Sequence, residues 1–167
     1  MRILSALLLT SLVGLAADTG RLKTEVDPGR AGVFIDGKYV GPAANFKVAR
    51  TYQVAPGEHE VRLVDPRYQE IIKRITITAG KQTVLKETMT ARPVAKPPFG
   101  KLRVENADHF AAVYVNDQFM GHVDEFSNFA QWLLLNPGTY EVKVVPLNGP
   151  PVTKSVTIEV DKTVIFK

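Results

Sequence analysis

GRLKTEVDPGRAGVFIDGKYVG, residues 20–41, returns 80 positions later as GKLRVENADHFAAVYVNDQFMG, residues 100–121. Gly20/Gly100, Leu22/Leu102, Val33/Val113, Phe34/Tyr114, Ile35/Val115, Tyr39/Phe119 and Gly41/Gly121 fall in register. Downstream, APGEHEVRL (55–63) recurs as NPGTYEVKV (136–144), and ITITAGKQTVLK (75–86) as VTIEVDKTVIFK (156–167), now at a spacing of 81. One residue has therefore been added between the two blocks. So long a period, without helical patterning, indicates two tandem domains rather than a solenoid. What repeats is strand and turn chemistry, not a set of reactive side chains.

The segments alternate with a period of two. In 58–64, Val61 and Leu63 alternate with Glu60 and Arg62; Ile75 and Ile77 alternate with Arg74, Thr76 and Thr78. Residues 139–145 and 155–160 do the same. This pattern predicts half-buried antiparallel strands. Asp36-Gly37 suits a two-residue hairpin that needs positive φ, with Asn116-Asp117 in its place in the second repeat. Pro56-Gly57 and Pro137-Gly138 predict type II turns before a long strand. Asp65-Pro66 and residues 147–151 turn the chain after it. Repeat 1 then holds about seven short strands, near 20–26, 31–36, 38–41, 50–54, 58–65, 70–79 and 81–89. The expected fold is all-β: two tandem small antiparallel β-sandwiches, at 19–90 and 100–167. Residues 91–99, ARPVAKPPF, read as a stiff proline-rich linker.

Residues 1–16 stand apart. Met1-Arg2 precedes a mostly apolar run from Ile3 to Leu15, and Gly14 and Ala16 occupy the small-residue positions of a cleavage site. The run is short for a bilayer span, and no second one follows. A cleaved export signal is expected, with an uncleaved anchor as the alternative. The chain contains no cysteine, so lipid attachment at a cysteine is excluded and the domains must hold without disulfides.

Formal net charge is +4. Residues 19–90 carry 12 Lys/Arg and 8 Asp/Glu, whereas residues 100–167 carry 6 and 8. Opposite signs would help the repeats dock, but the charges are scattered, which favours ordinary solvated surface. No basic stripe interleaves with aromatics, so nucleic acid is not an expected partner.

Val33–Asp36-Gly37–Tyr39–Gly41 followed by Pro56-Gly57-Glu58-His59-Glu60-Val61 makes a recognisable pattern. Val113–Asn116-Asp117–Phe119–Gly121 with Pro137-Gly138-Thr139-Tyr140-Glu141-Val142 repeats it. Both resemble the PEGA domain of bacterial and archaeal envelope proteins. The four letters that name the family do not occur; Pro-Gly is a contracted form of that turn. The resemblance covers nearly all of the chain after the signal. It implies a small all-β module, similar to parts of surface-layer proteins, with no catalytic residues to carry over. It suggests export to the periplasm or cell surface.

Reactive constellations are sparse. After residue 16 the only serines are Ser127 and Ser155, neither in Gly-x-Ser-x-Gly. His59 replaces Tyr140 of the other repeat and reads as a strand packing position. His109 and His122 read as loop residues with no metal-ligand spacing around them. Asp124-Glu125, if on a strand, point to opposite faces and do not converge on a glycosidic bond. The expectation is therefore no enzyme, no cofactor and no metal.

One strand departs from its counterpart. Repeat 1 has Thr51-Tyr52-Gln53-Val54 where repeat 2 has Trp132-Leu133-Leu134-Leu135. Leu133 and Leu135 match the inward pair. Trp132 and Leu134 replace outward polar residues, with Phe126 and Phe129 just upstream. These four define a candidate interaction patch. Three occupants compete: repeat 1 or the linker's Pro97-Pro98-Phe99, preferred because exposed patches are rare on monomers; a protein partner or second copy; or a sugar stacked on Trp132. The expected role is a non-catalytic, structural or protein-binding envelope module. Its partner would be an envelope protein or cell-wall polymer, with self-association possible. The alternative is a carbohydrate-binding module.

Overall fold

A computed structural model describes residues 19–47, 50–93, 96–106 and 108–167. The export signal expected at 1–16 lies outside the described residues. The first repeat folds as β1 (Gly20–Asp27), β2 (Gly32–Ile35), β3 (Lys38–Pro42), a 3-10 turn (Ala43–Phe46), β4 (Tyr52–Val54), β5 (Gly57–Val64), β6 (Ile71–Ile77) and β7 (Gln82–Thr88). The second follows as β8 (Gly100–Val104), β9 (Ala112–Val115), β10 (Gln118–His122), a 3-10 turn (Val123–Glu125), β11 (Leu133–Leu135), β12 (Gly138–Val145), β13 (Val152–Ile158) and β14 (Thr163–Phe166).

Each repeat forms two sheets. Repeat 1 has a three-stranded sheet, β4-β1-β7, and a four-stranded one, β3-β2-β5-β6. Repeat 2 has β11-β8-β14 and β10-β9-β12-β13, the same orders. The expectation of purely antiparallel sheets is corrected in one pair per domain. β1 runs parallel to β7, from Arg21↔Gln82 to Asp27↔Thr88, and β8 parallel to β14. The first and last strands of a domain meet in one sheet after the chain has crossed to the other and returned, and such a crossover lets neighbours run the same way.

Alternation puts one face of each strand into the core. Leu22, Val33, Val61, Leu63 and Ile77 are sealed from solvent, and so are Leu102, Val113, Val142, Val144 and Ile158, their counterparts. Burying each such side chain contributes about 1.5–3 kcal/mol. Thr24, fully buried on β1, donates its hydroxyl to the Ala43 carbonyl at 2.6 Å, so no polar group is stranded there.

The two glycines that open the repeats have a steric cause. A Cβ at Gly20 would lie 2.6 Å from the Thr78 carbonyl oxygen, and one at Gly100 2.1 Å from that of Glu159. The first strand passes directly beneath the turn that leads into the last.

The hairpin turns form as the sequence requires: φ is 49° at Asp36 and 80° at Gly37, 47° at Asn116 and 60° at Asp117. The Pro-Gly pairs differ from expectation. Gly57 (φ 136°) and Gly138 (φ 157°) are far wider than the about 80° of a type II turn. They already belong to β5 and β12. A side chain closes each bend instead: His59 Nε2 lies 2.8 Å from the Ala55 carbonyl, and the Tyr140 hydroxyl donates to the Asn136 carbonyl at 2.9 Å.

The domains meet through the same patch of each. Phe34, Tyr39, Ala112 and Phe119 form a buried cluster, flanked by Val64, Tyr114, Val145 and Leu147. Phe119 packs edge-on against Phe34 at 5.5 Å between ring centroids and tilted against Tyr39 at 5.6 Å.

Candidate functional site

The strand that departs from its counterpart does so in structure as well. Leu133 and Leu135 are buried against the repeat 2 core, and Leu134 between them is 49% exposed. Leu134 pairs across the ladder with Lys101 on β8. The Lys101 ammonium rests 4.3 Å from the centroid of the half-buried Trp132 ring. Such a cation–π contact is worth about 0.5–1 kcal/mol at an open site.

The four patch residues do not stay together. Phe126 belongs to the repeat 2 core, as Phe46 belongs to that of repeat 1. Phe46 ends its 3-10 turn and Phe126 directly follows its own; both are buried in the core, so Phe126 is no exposed patch residue and belongs only to the walls of nearby hollows. Phe129 is 82% exposed in the loop carrying the inserted residue. Trp132 and Leu134 remain adjacent.

Trp132 forms a wall between two hollows at the domain junction. One, of about 710 Å³, is lined by Arg30, Lys101, Asp124, Gln131 and Leu134 among others. The other, of about 370 Å³, is more apolar, with Pro66, Pro93, Phe99, Met120 and Leu134 in its walls. Repeat 1 (Arg30, Arg67, Pro66) and the linker (Pro93, Phe99) share the walls of these hollows with Trp132. The linker is held in place by Asn136, whose side-chain amide donates to the carbonyls of Lys96 (3.1 Å) and Pro98 (2.8 Å).

The junction is also ionic. Asp65, 3% exposed, accepts hydrogen bonds at 2.9 Å from the Arg67 backbone N–H, Nε and one terminal nitrogen. Burial alone would raise its pKa; the Arg67 hydrogen bonds outweigh that, and the carboxyl ends below its usual range. Burial likewise works against the Arg67 charge, but hydrogen bonds to Asp65 and Glu125 prevail and raise its pKa. The same Arg67 group crosses to repeat 2 and donates to Glu125 at 2.9 Å. Arg30 lies 3.4 Å from Asp65 and 3.9 Å from Glu125. Sequence reasoning missed this network, because Arg67 and Glu125 are 58 residues apart. A polar Asp after an apolar strand was the one available signal.

The titratable residues singled out from the sequence have structural surroundings. His59 is not a simple packing residue: its Nδ1 lies 2.6 Å from Asp36 Oδ2, so the ring joins the hairpin turn to the Pro-Gly bend. The hydrogen bond to Asp36 raises the His59 pKa, and its counterpart lowers that of Asp36. His122 ends β10 rather than lying in a loop, buried with Nδ1 3.1 Å from Glu125. His109 is exposed, 3.7 Å from Asp124. Asp124 and Glu125 occupy a 3-10 turn instead of a strand, Asp124 open to solvent and Glu125 14% exposed, so they still diverge. Ser155 lies on β13, and the Ser127 carbonyl accepts from Arg103. Among the described residues, no group of three His, Cys, Asp or Glu is arranged to hold a metal ion.

None of the curated proteins matches the chain. Among solved structures, the Bacillus anthracis TIE protein is similar at 16% identity and a TM-score of 0.32, over 90% of this chain and 34% of that one. This chain therefore spans about a third of that protein's length. Residues 19–92 match the PEGA domain family, a family of non-catalytic modules, as the turn and strand pattern of the first repeat led one to expect; the match covers the first repeat and not the second.

Proposed function

We propose that the chain is an exported envelope protein that acts without catalysis, as a structural or protein-binding module in the periplasm or at the cell surface. Residues 19–90 and 100–167 would be its two modules, 91–99 their linker and 1–16 a cleaved signal. The PEGA match supports an extracellular or periplasmic, non-catalytic setting. The observation that carries the binding role is the Trp132 cleft. An aromatic ring and an exposed Leu134 stand at a domain junction, with Lys101 and Arg30 beside them and Phe129 projecting nearby. Trp is a favoured interface anchor, and this ring stands between two hollows with the Lys101 ammonium over one of its faces.

A second reading, carbohydrate binding, draws on the larger hollow. There Trp132 offers a stacking face, and Gln131, Asp124 and Arg30 offer groups for sugar hydroxyls. Trp132 is the only tryptophan, so its fluorescence reports this site alone. Acrylamide quenching of the mature protein across a dilution series tests the proposal. Partial accessibility at all concentrations, blue-shifted and protected by an envelope protein partner, supports it. Protection by oligosaccharides alone supports the second reading. A ring shielded at every concentration and unchanged by either would overturn both.

A further inference from the structure

The face that joins the two domains has properties that a mere tether would not need. Equivalent residues from the two repeats occupy it: Phe34 and Tyr39 from one, Tyr114 and Phe119 from the other. A patch facing its own counterpart is the geometry of a two-fold dimer contact. Yet the two copies of the patch differ in ways that prevent like from pairing with like.

Position 32 is glycine in repeat 1, and its counterpart is Ala112. A Cβ on Gly32 would lie 2.6 Å from Phe119 Cζ. Phe119 is hemmed in by Phe34, Tyr39 and Tyr114 at 5.5, 5.6 and 5.7 Å, so the ring has little room to give. Two copies of repeat 2 docked this way would set the Ala112 methyl against that ring. The ion pair is one-sided as well. Arg67 and Arg30 of repeat 1 face Glu125 of repeat 2. Their counterparts, Asn148, Phe110 and Asn45, cannot reproduce it. Two copies of repeat 1 would leave Arg67 without a carboxylate across the joint, and two of repeat 2 would leave Glu125 without a guanidinium.

We infer that this face is a recognition surface specific for the complementary repeat. It holds repeat 1 on repeat 2 without help from the linker, and it accepts the complementary repeat of a second copy of the chain while rejecting its own kind. Within one chain the linker keeps the complementary face at high effective concentration, so the intramolecular pair forms first. Exchange between copies needs only that the linker cease to bind the halves together. The inference shares its joint with the Trp132 cleft, since Arg30 and Glu125 line the larger hollow, but it needs no ligand there, so co-elution of the halves and the Trp132 fluorescence response can fail separately.

The test uses two versions of the full mature chain with a protease sequence placed between Pro93 and Lys96, one tagged at its N-terminus and the other at its C-terminus. They are cleaved, mixed and separated by size exclusion at micromolar concentration. The two halves are expected to co-elute after cleavage. Captured by its tag, repeat 1 of one copy is expected to bring the C-terminally tagged repeat 2 of the other, and no untagged repeat 1. Halves that part on cleavage, or like halves recovered as readily as unlike ones, would overturn the inference. Glu125→Gln in the cleaved protein should weaken the pair about tenfold, as loss of a charge-assisted hydrogen bond does. Phe119→Ala should separate the halves while each keeps its β-sheet circular dichroism. Halves that still co-elute in that variant would show that another face joins them.

Discussion

Repeat 1 and repeat 2 share strand order, register and core, and diverge where their surfaces meet something else. Leu22 and Leu102, Val61 and Val142, Ile77 and Ile158 occupy equivalent sealed positions. By contrast, Thr51 and Gln53 become Trp132 and Leu134, Gly32 becomes Ala112, and the His59–Asp36 pair becomes Tyr140 and Asn116. The difference teaches which constraints come from folding and which from contact. Positions that must fill a sandwich interior are repeated, because a small core tolerates little change in volume. Positions that face a neighbouring domain or a ligand are free to specialise.

The largest expected effect tests the shared part. Leu22→Ala and Leu102→Ala each empty a sealed core position and should each cost about 2–5 kcal/mol. Urea unfolding of the two variants checks this. A twofold disparity between them would mean that the cores are not equivalent despite their matching burial.

A smaller effect of opposite sign is expected at the joint. The Tyr39 hydroxyl is buried with no hydrogen-bond partner among the described residues, and burial drives its pKa far upward. Its counterpart Phe119 carries no hydroxyl. Tyr39→Phe should therefore be neutral or stabilising by about 1 kcal/mol, since the desolvation penalty of an unpaired group disappears. A clear loss of stability in urea melts would mean that the hydroxyl is satisfied after all.

The turn staple separates the repeats by pH. The raised pKa of His59 means its contribution is full below about pH 6.5 and fades as pH rises through the raised value. The lowered pKa of Asp36 means its contribution is full above about pH 4 and fades as pH falls through the lowered value. The pair thus supports repeat 1 most between these limits. In repeat 2 the Tyr140 hydroxyl donates to the Asn136 carbonyl and Asn116 Oδ1 accepts from the Glu141 N–H, so an amide stands where repeat 1 has the Asp36 carboxylate. Urea midpoints of Asp36→Asn measured from pH 4 to 8 should show a flatter profile than those of the parent chain. An unchanged profile would remove His59–Asp36 as its source.

How far the sequence carries can be judged from the same residues. The strands were legible because Val61, Leu63, Ile75 and Ile77 alternate with polar neighbours, and the hairpins because Asp36-Gly37 and Asn116-Asp117 tolerate positive φ. The parallel β1–β7 pairing was not, since alternation fixes which face is buried but not which strand lies alongside. Phe126 was misplaced because an aromatic beside an insertion looks the same whether the chain turns it in or out. The Arg67–Glu125 contact depends on how two domains dock, and no local pattern encodes that.

The smallest expected effect bears on the cleft. Leu134→Gln restores the residue type that repeat 1 carries at Gln53. Leu134 is 49% exposed on an edge strand, so its replacement should change stability by less than about 0.5 kcal/mol. Folding gives no reason for the leucine, which makes the variant informative. It leaves Trp132 in place as the reporter and removes only the apolar surface shared by both hollows. If the cleft takes an apolar partner, the Trp132 fluorescence response to that partner should weaken while the urea midpoint stays put. If both remain unchanged, the partner contacts the ring without its neighbour. A stability loss of 1 kcal/mol or more would instead show that Leu134 is covered from within the chain, and that the divergence of this strand serves the joint between the repeats.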